Sequence, residues 1–304
     1  MPSSPDRNHS AWPEEAAVFP CAGRQLVGIL HPGDSASEVG VLIVTGGPQY
    51  RIGSHRQFLL LARDFAAAGV PTFRFDHRGS GDSEGPFLGF EHIGEDIAAA
   101  ITAFLERSPG LKRVVLWGIC DAASAMLFYA QQDSRVAGLL LVNPWVRSEE
   151  GEARAMVKHY YGRRLFDPTF WRKLLSGEVE IAASLRGFGT SLANWLRAKV
   201  QSRAQPASAA ELPLPTRMAQ GLAAFDGPVG LIISGRDLTA HEFLDAAKDP
   251  LWRRLLSEAR VERHDLPTAD HTFSRRVWRE AVSDWTLSWL KRVQPRAFGD
   301  SEKP

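Results

Sequence analysis

The segment Leu116-Trp117-Gly118-Ile119-Cys120-Asp121-Ala122-Ala123 constrains this chain more than any other. It follows a short apolar run, Val114–Leu116, and precedes a helix-like run, Ser124–Gln132. That order reads as strand, tight turn and helix. Small residues stand two positions either side of Cys120, at Gly118 and Ala122, as a sharp turn requires. The pattern is that of a nucleophile elbow, with cysteine where serine is usual and alanine where a second glycine is commoner. Such a turn points its central side chain up from a sheet and sets the next backbone N–H, that of Asp121, at a helix N-terminus. There it can donate to an oxyanion. The positive helix end favours a thiolate, while the negative charge of Asp121 opposes one. A buried structural cysteine is the plainer reading of Cys120 taken alone.

The chain around this turn supports an alternating α/β organisation. Leu26–Leu30, Val41–Val44, Val70–Phe75, Val114–Trp117, Ala137–Val142, Val229–Ser234 and Val261–Leu266 read as strands. Phe58–Ala68, Ile93–Leu105 and Val277–Leu290 carry apolar residues at helical spacing. Strands alternating with helices predict a mostly parallel central sheet flanked by helices on both faces. The alternation stops between Val146 and Phe225, where helix-like runs occur around Ala153–Tyr161, Phe170–Leu175 and Ser191–Lys199 before a proline-containing loop, Ala204–Pro215. The predicted organisation is a polar tail over 1–15, a core of 16–145 and 226–293, a helical cap insertion over 146–225, and a short tail over 294–304.

Charge and cysteine content narrow the function. Lys plus Arg total 36 and Asp plus Glu 35, so no nucleic-acid footprint is expected. The cap segment carries 12 Lys/Arg against 7 Asp/Glu, which makes it locally basic. Such a cap is either a solvated helical surface or an attractor for an anionic carrier-bound substrate. Cys21 and Cys120 are the only cysteines, too few for a disulfide framework, and no Cys/His spacing suggests a metal. No cofactor is expected. Met1–Glu15 lacks the charged-then-apolar pattern of a signal peptide, and no apolar run is long enough to span a bilayer. A cytoplasmic location follows as an expectation.

Partners for Cys120 lie downstream. Ile232-Ile233-Ser234-Gly235-Arg236-Asp237 places a carboxylate just after a strand, and Ala269-Asp270-His271-Thr272-Phe273 places a histidine before the last helix. The order nucleophile, acid, histidine is that of α/β-hydrolases. His271 would take the thiol proton, and Asp237 would orient the ring. Asp245 and Asp249 are rival acids further into the next helical segment. His264 lies within a strand, His241 follows the acid too closely, and Asp270 reads as a loop carboxylate. A second oxyanion donor is expected in Thr45-Gly46-Gly47-Pro48-Gln49, from Gly47 or, behind it, Gln49, since Pro48 has no N–H. Phe75-Asp76-His77-Arg78-Gly79-Ser80-Gly81-Asp82-Ser83 reads as a structural glycine-rich turn held by Asp76 and Arg78. Tyr50, Arg51 and His55, in or after the oxyanion loop, and Trp145 and Arg147, after the sixth strand, are candidate pocket residues.

With these motifs in order, the chain resembles the α/β-hydrolase superfamily from about Val18 to Arg292. Several segments also resemble the exosortase A system-associated hydrolases of the first type: Gly46 through Phe58, Trp117–Asp121, Asn143-Pro144-Trp145-Val146-Arg147, and His159-Tyr160-Tyr161 through Phe170–Gly177. That resemblance implies the α/β-hydrolase fold, a hydrolase class, and a link to exopolysaccharide and protein-sorting loci. Three functions are consistent with the residues. One is a cofactor-independent acyl hydrolase with a Cys120–His271–Asp237 triad, acting on a small-molecule or carrier-bound ester or thioester. A second is an acyltransferase using an acyl-Cys120 intermediate. The third is a non-catalytic binding protein on the same fold. Peptidase activity is the least favoured branch, because a thiolate is a good leaving group.

Overall fold

A computed structural model of the chain describes residues 14–47, 49–147 and 212–294. Eight strands form one sheet: β1 (Glu15–Cys21), β2 (Arg24–His31), β3 (Val39–Val44), β4 (Thr72–Phe75), β5 (Arg113–Ile119), β6 (Val136–Val142), β7 (Val229–Ser234) and β8 (Val261–Leu266). Their spatial order is β1-β2-β4-β3-β5-β6-β7-β8. The β1–β2 and β2–β4 pairings are antiparallel, and every pairing from β4 across to β8 is parallel. The parallel strands therefore end along one edge, the edge at which the candidate residues were expected.

The helices among the described residues are α1 (Gln57–Ala67), α2 (Gly94–Arg107), α3 (Asp121–Tyr129), α4 (Leu214–Ala224), α5 (Leu238–Ala246), α6 (Pro250–Leu256) and α7 (Arg276–Val293). Alternation along the strands assigns them to faces. Val41, Ile43, Val115 and Trp117 pack with Phe58, Leu61 and Phe65 of α1 and with Val282, Trp289 and Leu290 of α7. Phe58 meets Trp117 edge-on at 5.8 Å. Gly40 is one residue out of phase with Val41, and it abuts Phe104 of α2. Phe104 in turn stacks on Phe73 at 5.5 Å. Both faces are thus covered. The central strands β3, β5, β6 and β7 are buried almost end to end, which is why they read as continuous apolar runs.

Three elements were not anticipated. Strand β1 contains Pro20, which a central strand would not tolerate, but β1 is the sheet edge. Helix α6 is short and starts with a proline after the capping Asp249. Helix α4 begins at Leu214, within the segment read as the end of a loop. The chain divides into two compact units, Met1–Val146 with Arg217–Pro304, and Arg147–Thr216. The helix-like runs predicted at Ala153–Tyr161, Phe170–Leu175 and Ser191–Lys199 lie outside the described residues. No helix among the described residues is long and apolar enough to cross a membrane.

A buried ion pair anchors the loop after β4. Asp96 sits fully buried in the first turn of α2, where the helix N-terminus favours a carboxylate. It accepts from the Arg78 backbone N–H at 2.8 Å and from Arg78 Nε and Nη2 at 3.1 and 2.8 Å. Removing Asp96 leaves the buried Arg78 charge with the solvent-exposed Glu95 carboxylate, 2.8 Å away, in place of a buried partner. Asp96→Ala is expected to destabilise the fold by about 3–5 kcal/mol, read as a lowered urea midpoint at unchanged slope.

Candidate active site

Cys120 occupies the junction of β5 and α3 with φ 62° and ψ −127°, a backbone conformation rarely adopted by a side-chain-bearing residue. Three hydrogen bonds hold it there. Its N–H donates to the Val142 carbonyl at 2.9 Å, and its carbonyl accepts from the N–H groups of Ala123 and Trp145, both at 3.1 Å. Gly118 makes the turn sterically feasible. A Cβ on it would lie 2.7 Å from Met126 Sδ and 3.1 Å from the Ala122 side chain. The thiol-bearing residue is half-buried at the carboxyl edge of the sheet and packs against the apolar core under α1 and α7.

Asp237 and His271 come together at the same edge. His271 Nδ1 lies 2.7 Å from Asp237 Oδ2, with the Asp237 side chain only 5% exposed and the histidine 31% exposed. Asp237 also caps α5, accepting from the N–H groups of Thr239 at 3.0 Å and Ala240 at 3.3 Å. A carboxylate so held makes Nδ1 the protonated ring nitrogen, which leaves Nε2 with a lone pair.

The rival residues are engaged elsewhere. Asp245 pairs with Lys248 and Asp249 caps α6. Asp270 accepts from Ser274 N at 2.9 Å. His264 stacks on Trp285 within β8. The backbone N–H of His241 donates to the Asp237 carbonyl inside α5.

Asn143 belongs to this site and was noted in the sequence only as part of a resemblance. It is fully buried, has φ 44°, and follows the β6 residue that bonds the Cys120 N–H. Its side-chain oxygen accepts from Ser234 N at 2.8 Å, and its amide donates to Ser234 Oγ at 2.9 Å and to the His271 carbonyl at 3.4 Å. Ser234 Oγ donates on to the Asp270 carbonyl at 3.1 Å. One amide thus ties the ends of β6 and β7 to the histidine loop. An Asn directly after an apolar strand, facing the acid-bearing strand, was the available signal.

The loop after β3 departs from the simplest expectation. The Asp121 carboxylate lies against Gly46 and Gly47, where a Cβ on Gly46 would come within 1.9 Å of Oδ1, and the Gln49 N–H donates to the Gly46 carbonyl at 3.2 Å. Pro48 lies outside the described residues. Burial pushes the Asp121 carboxyl above its usual range, against the nearby backbone N–H groups of Gly47 and Ala122, of which Ala122 is hydrogen-bonded to it. The Ala122 bond is 3.0 Å long. The Asp121 backbone N–H stands at the start of α3, as the elbow requires.

The expected pocket residues fall in different surroundings. Arg51 is buried and bonded to Asp76 and, at 2.8 Å, to Asp82, while its N–H donates to Asp76 Oδ1 at 2.6 Å. Its charge is therefore balanced by two carboxylates and secures the β4 loop against the β3 loop. Tyr50 is exposed and donates to Asp82 at 3.0 Å with the Arg51 guanidinium over its ring. His55 is exposed at φ 53°. Trp145 is half-buried, and its carbonyl accepts from Ser124 Oγ at 2.5 Å. Arg147 begins the second unit. Among the described residues no cluster of three His, Cys, Asp or Glu side chains is placed to hold a metal.

The strand order, the strained turn after β5, the acid after β7 and the histidine after β8 decide the architecture. This is the α/β-hydrolase fold. Solved structures agree. An esterase from Pyrococcus furiosus, Pf2001, is 15% identical with TM-score 0.61, covering 93% of this chain and 94% of its own. The α/β hydrolase GrgF from Penicillium is 20% identical with TM-score 0.61, covering 93% and 99%. A Rhizomucor miehei esterase is 16% identical with TM-score 0.58, covering 93% and 84%. Residues 41–191 match the family of S33 serine aminopeptidases. No curated protein matches the chain.

The Asn143 bridge has a measurable consequence. Asn143→Ala would leave the buried Ser234 N–H without its acceptor and place alanine at positive φ. It is expected to cost about 1–3 kcal/mol, seen as a lower thermal midpoint.

Proposed function

We propose that this chain is a cofactor-independent acyl hydrolase of esterase or thioesterase type, with Cys120 as nucleophile. The observation that carries the reading is the 2.7 Å contact between His271 Nδ1 and the buried Asp237 carboxylate. It stands at the sheet edge where Cys120 is held in a strained turn. The esterases among the structural neighbours point to the same class of bond. The resemblance of the Gly46–Phe58 and Trp117–Asp121 segments to exosortase-associated hydrolases suggests acyl groups on exopolysaccharide-related molecules as substrates.

The chemistry follows from the residues. His271 Nε2 takes the Cys120 proton as the sulfur attacks the substrate carbonyl carbon, and the carbonyl oxygen becomes an oxyanion. Asp237 stabilises the imidazolium through Nδ1. The Asp121 N–H at the start of α3 and the Gly47 N–H are the donors for the oxyanion. On collapse, the bond to the leaving alcohol or thiol breaks and the imidazolium gives up its proton to that group. The product is an acyl-thioester on Cys120. Water then attacks this thioester while His271 takes its proton. The C–S bond breaks, the thiolate recovers the proton, and the carboxylic acid leaves.

The sulfur selects among substrates. In an addition intermediate formed from an amide, thiolate departs more readily than an amine. Thioesters and activated esters avoid that reversal. The match to an aminopeptidase family therefore sets the scaffold, and the thiol biases the bond cleaved.

Turnover of p-nitrophenyl butyrate and of a butyryl thioester tests the reading, with an amino-acid p-nitroanilide as the amide control. Cys120→Ala should abolish ester and thioester hydrolysis. His271→Ala should lower kcat roughly 10²–10⁴-fold. The p-nitroanilide should stay intact. Full ester turnover by Cys120→Ala would refute the assignment.

A further inference from the structure

His77 is a buried titratable group that the acyl-transfer steps leave unused. It is 2% exposed and stands just past β4, between Asp76 and Arg78. Both neighbours are clamped. Asp76 accepts from the Arg51 N–H at 2.6 Å and from the Asp82 N–H at 3.1 Å, and Arg78 is held by Asp96. From between them the His77 ring reaches the loop after β3, with Nε2 3.1 Å from the Gly47 carbonyl oxygen. Nδ1 lies 3.2 Å from the Arg78 carbonyl oxygen, and the Phe87 ring packs beside the imidazole at 5.6 Å between centroids. A carbonyl oxygen only accepts, so the bond to Gly47 uses a proton on Nε2. Ser80 of the same β4 loop donates from Oγ to the Gln49 carbonyl at 2.6 Å. The β4 loop thus grips the β3 loop at two carbonyls.

Gly47 is the position where such a grip matters. Its φ is 51°, a conformation that glycine enters freely and, for the same reason, leaves freely. The Gly47 N–H shares a peptide with the Gly46 carbonyl, and that carbonyl accepts from the Gln49 N–H at 3.2 Å. His77 holds the other peptide of Gly47 through its carbonyl. Together the two bonds fix both sides of a residue whose backbone would otherwise turn. The loop lies against the start of α3, because a Cβ on Gly46 would come 2.8 Å from the backbone nitrogen of Ala122, two residues after Cys120. Within the hydrolase reading, on which the inference rests, the Gly47 N–H is a donor to the oxyanion. Such a donor is effective only when its direction is set before the charge develops.

We propose that His77 is a positioning residue of the oxyanion hole: its Nε2–H pins the Gly47 carbonyl and thereby keeps the Gly47 N–H turned toward the oxyanion that forms when Cys120 attacks. In this role it acts on the reaction only through Gly47. The role differs from that of a merely structural residue in its kinetic signature. A donor that counts only once the oxyanion develops changes kcat and leaves KM alone. Alkylation of Cys120 by iodoacetamide gives a second contrast. Sulfur displaces iodide to form a C–S bond and no oxyanion arises, so the alkylation rate reports the thiol and the fold without the hole.

The full-length chain is assayed on p-nitrophenyl butyrate as wild type, His77→Leu, His77→Gln and His77→Asn, with Cys120→Ala beside them. The rate of Cys120 alkylation by iodoacetamide is measured in each His77 variant. His77→Leu fills similar space and donates nothing. Its kcat should fall about 10–100-fold, a part of the roughly 10²–10³-fold that one oxyanion donor supplies, with KM and the alkylation rate within about twofold of wild type. His77→Gln keeps an N–H at the reach of Nε2 and should recover most of the rate. His77→Asn is too short to reach Gly47 and should not. A wild-type kcat in His77→Leu, a kcat that falls in step with the alkylation rate, or an equal loss in His77→Gln and His77→Leu overturns the inference. If His77→Leu fails to fold, equal kcat values in His77→Gln and His77→Asn overturn it. Turnover that survives Cys120→Ala overturns the hydrolase reading instead, a result visible without any His77 variant.

Discussion

The arrangement depends on a single strained backbone position. Cys120 stands at φ 62° and ψ −127° because β5 must stop and α3 must start within one residue. Such a conformation persists only where its surroundings over-determine it. Here the N–H is held by Val142 at the end of β6, and the carbonyl by Ala123 and by Trp145 beyond β6. The same hydrogen bond from Cys120 to β6 places Asn143 next in line, and Asn143 reaches Ser234 and the His271 loop. Strain at the turn and placement of the histidine therefore share one support. A loss of packing at β6 would be felt at both.

A second layer of support runs through charge. Asp76, fully buried, accepts from the Arg51 backbone and side chain and from the Asp82 N–H. Burial pushes its carboxyl above the usual range, against the bonds from Asp82 and Arg51. Asp96 does the same work for Arg78. The two pairs fix the loops after β3 and β4, which carry Gly47 and His77. Buried charges of this kind hold a geometry more than they add stability.

Much of this was legible in the sequence, and the reasons differ by element. The central strands were visible because strands buried on both faces must be continuously apolar. The positions of Cys120, Asp237 and His271 at strand ends were visible because a tight strand-to-helix turn needs small neighbours and the other two follow apolar runs in chain order. Strand β1 was hidden because an edge strand is half-polar and admits Pro20. The role of Arg51 was hidden because its partners, Asp76 and Asp82, are distant in sequence. The position of the Asp121 side chain was also out of reach. A helix-start aspartate ordinarily bonds its own helix, as Asp121 does through the Ala122 N–H, and only the structure shows that its carboxylate also fills the space left by Gly46.

The account turns on sulfur at Cys120 carrying the acyl group. Rapid quenching of the enzyme during turnover of a butyryl thioester, followed by peptide mass spectrometry, reads this directly. The account predicts one added butyryl group on the peptide containing Cys120, absent in Cys120→Ala. An acyl group on another residue, or ongoing turnover with Cys120 never modified, would contradict it.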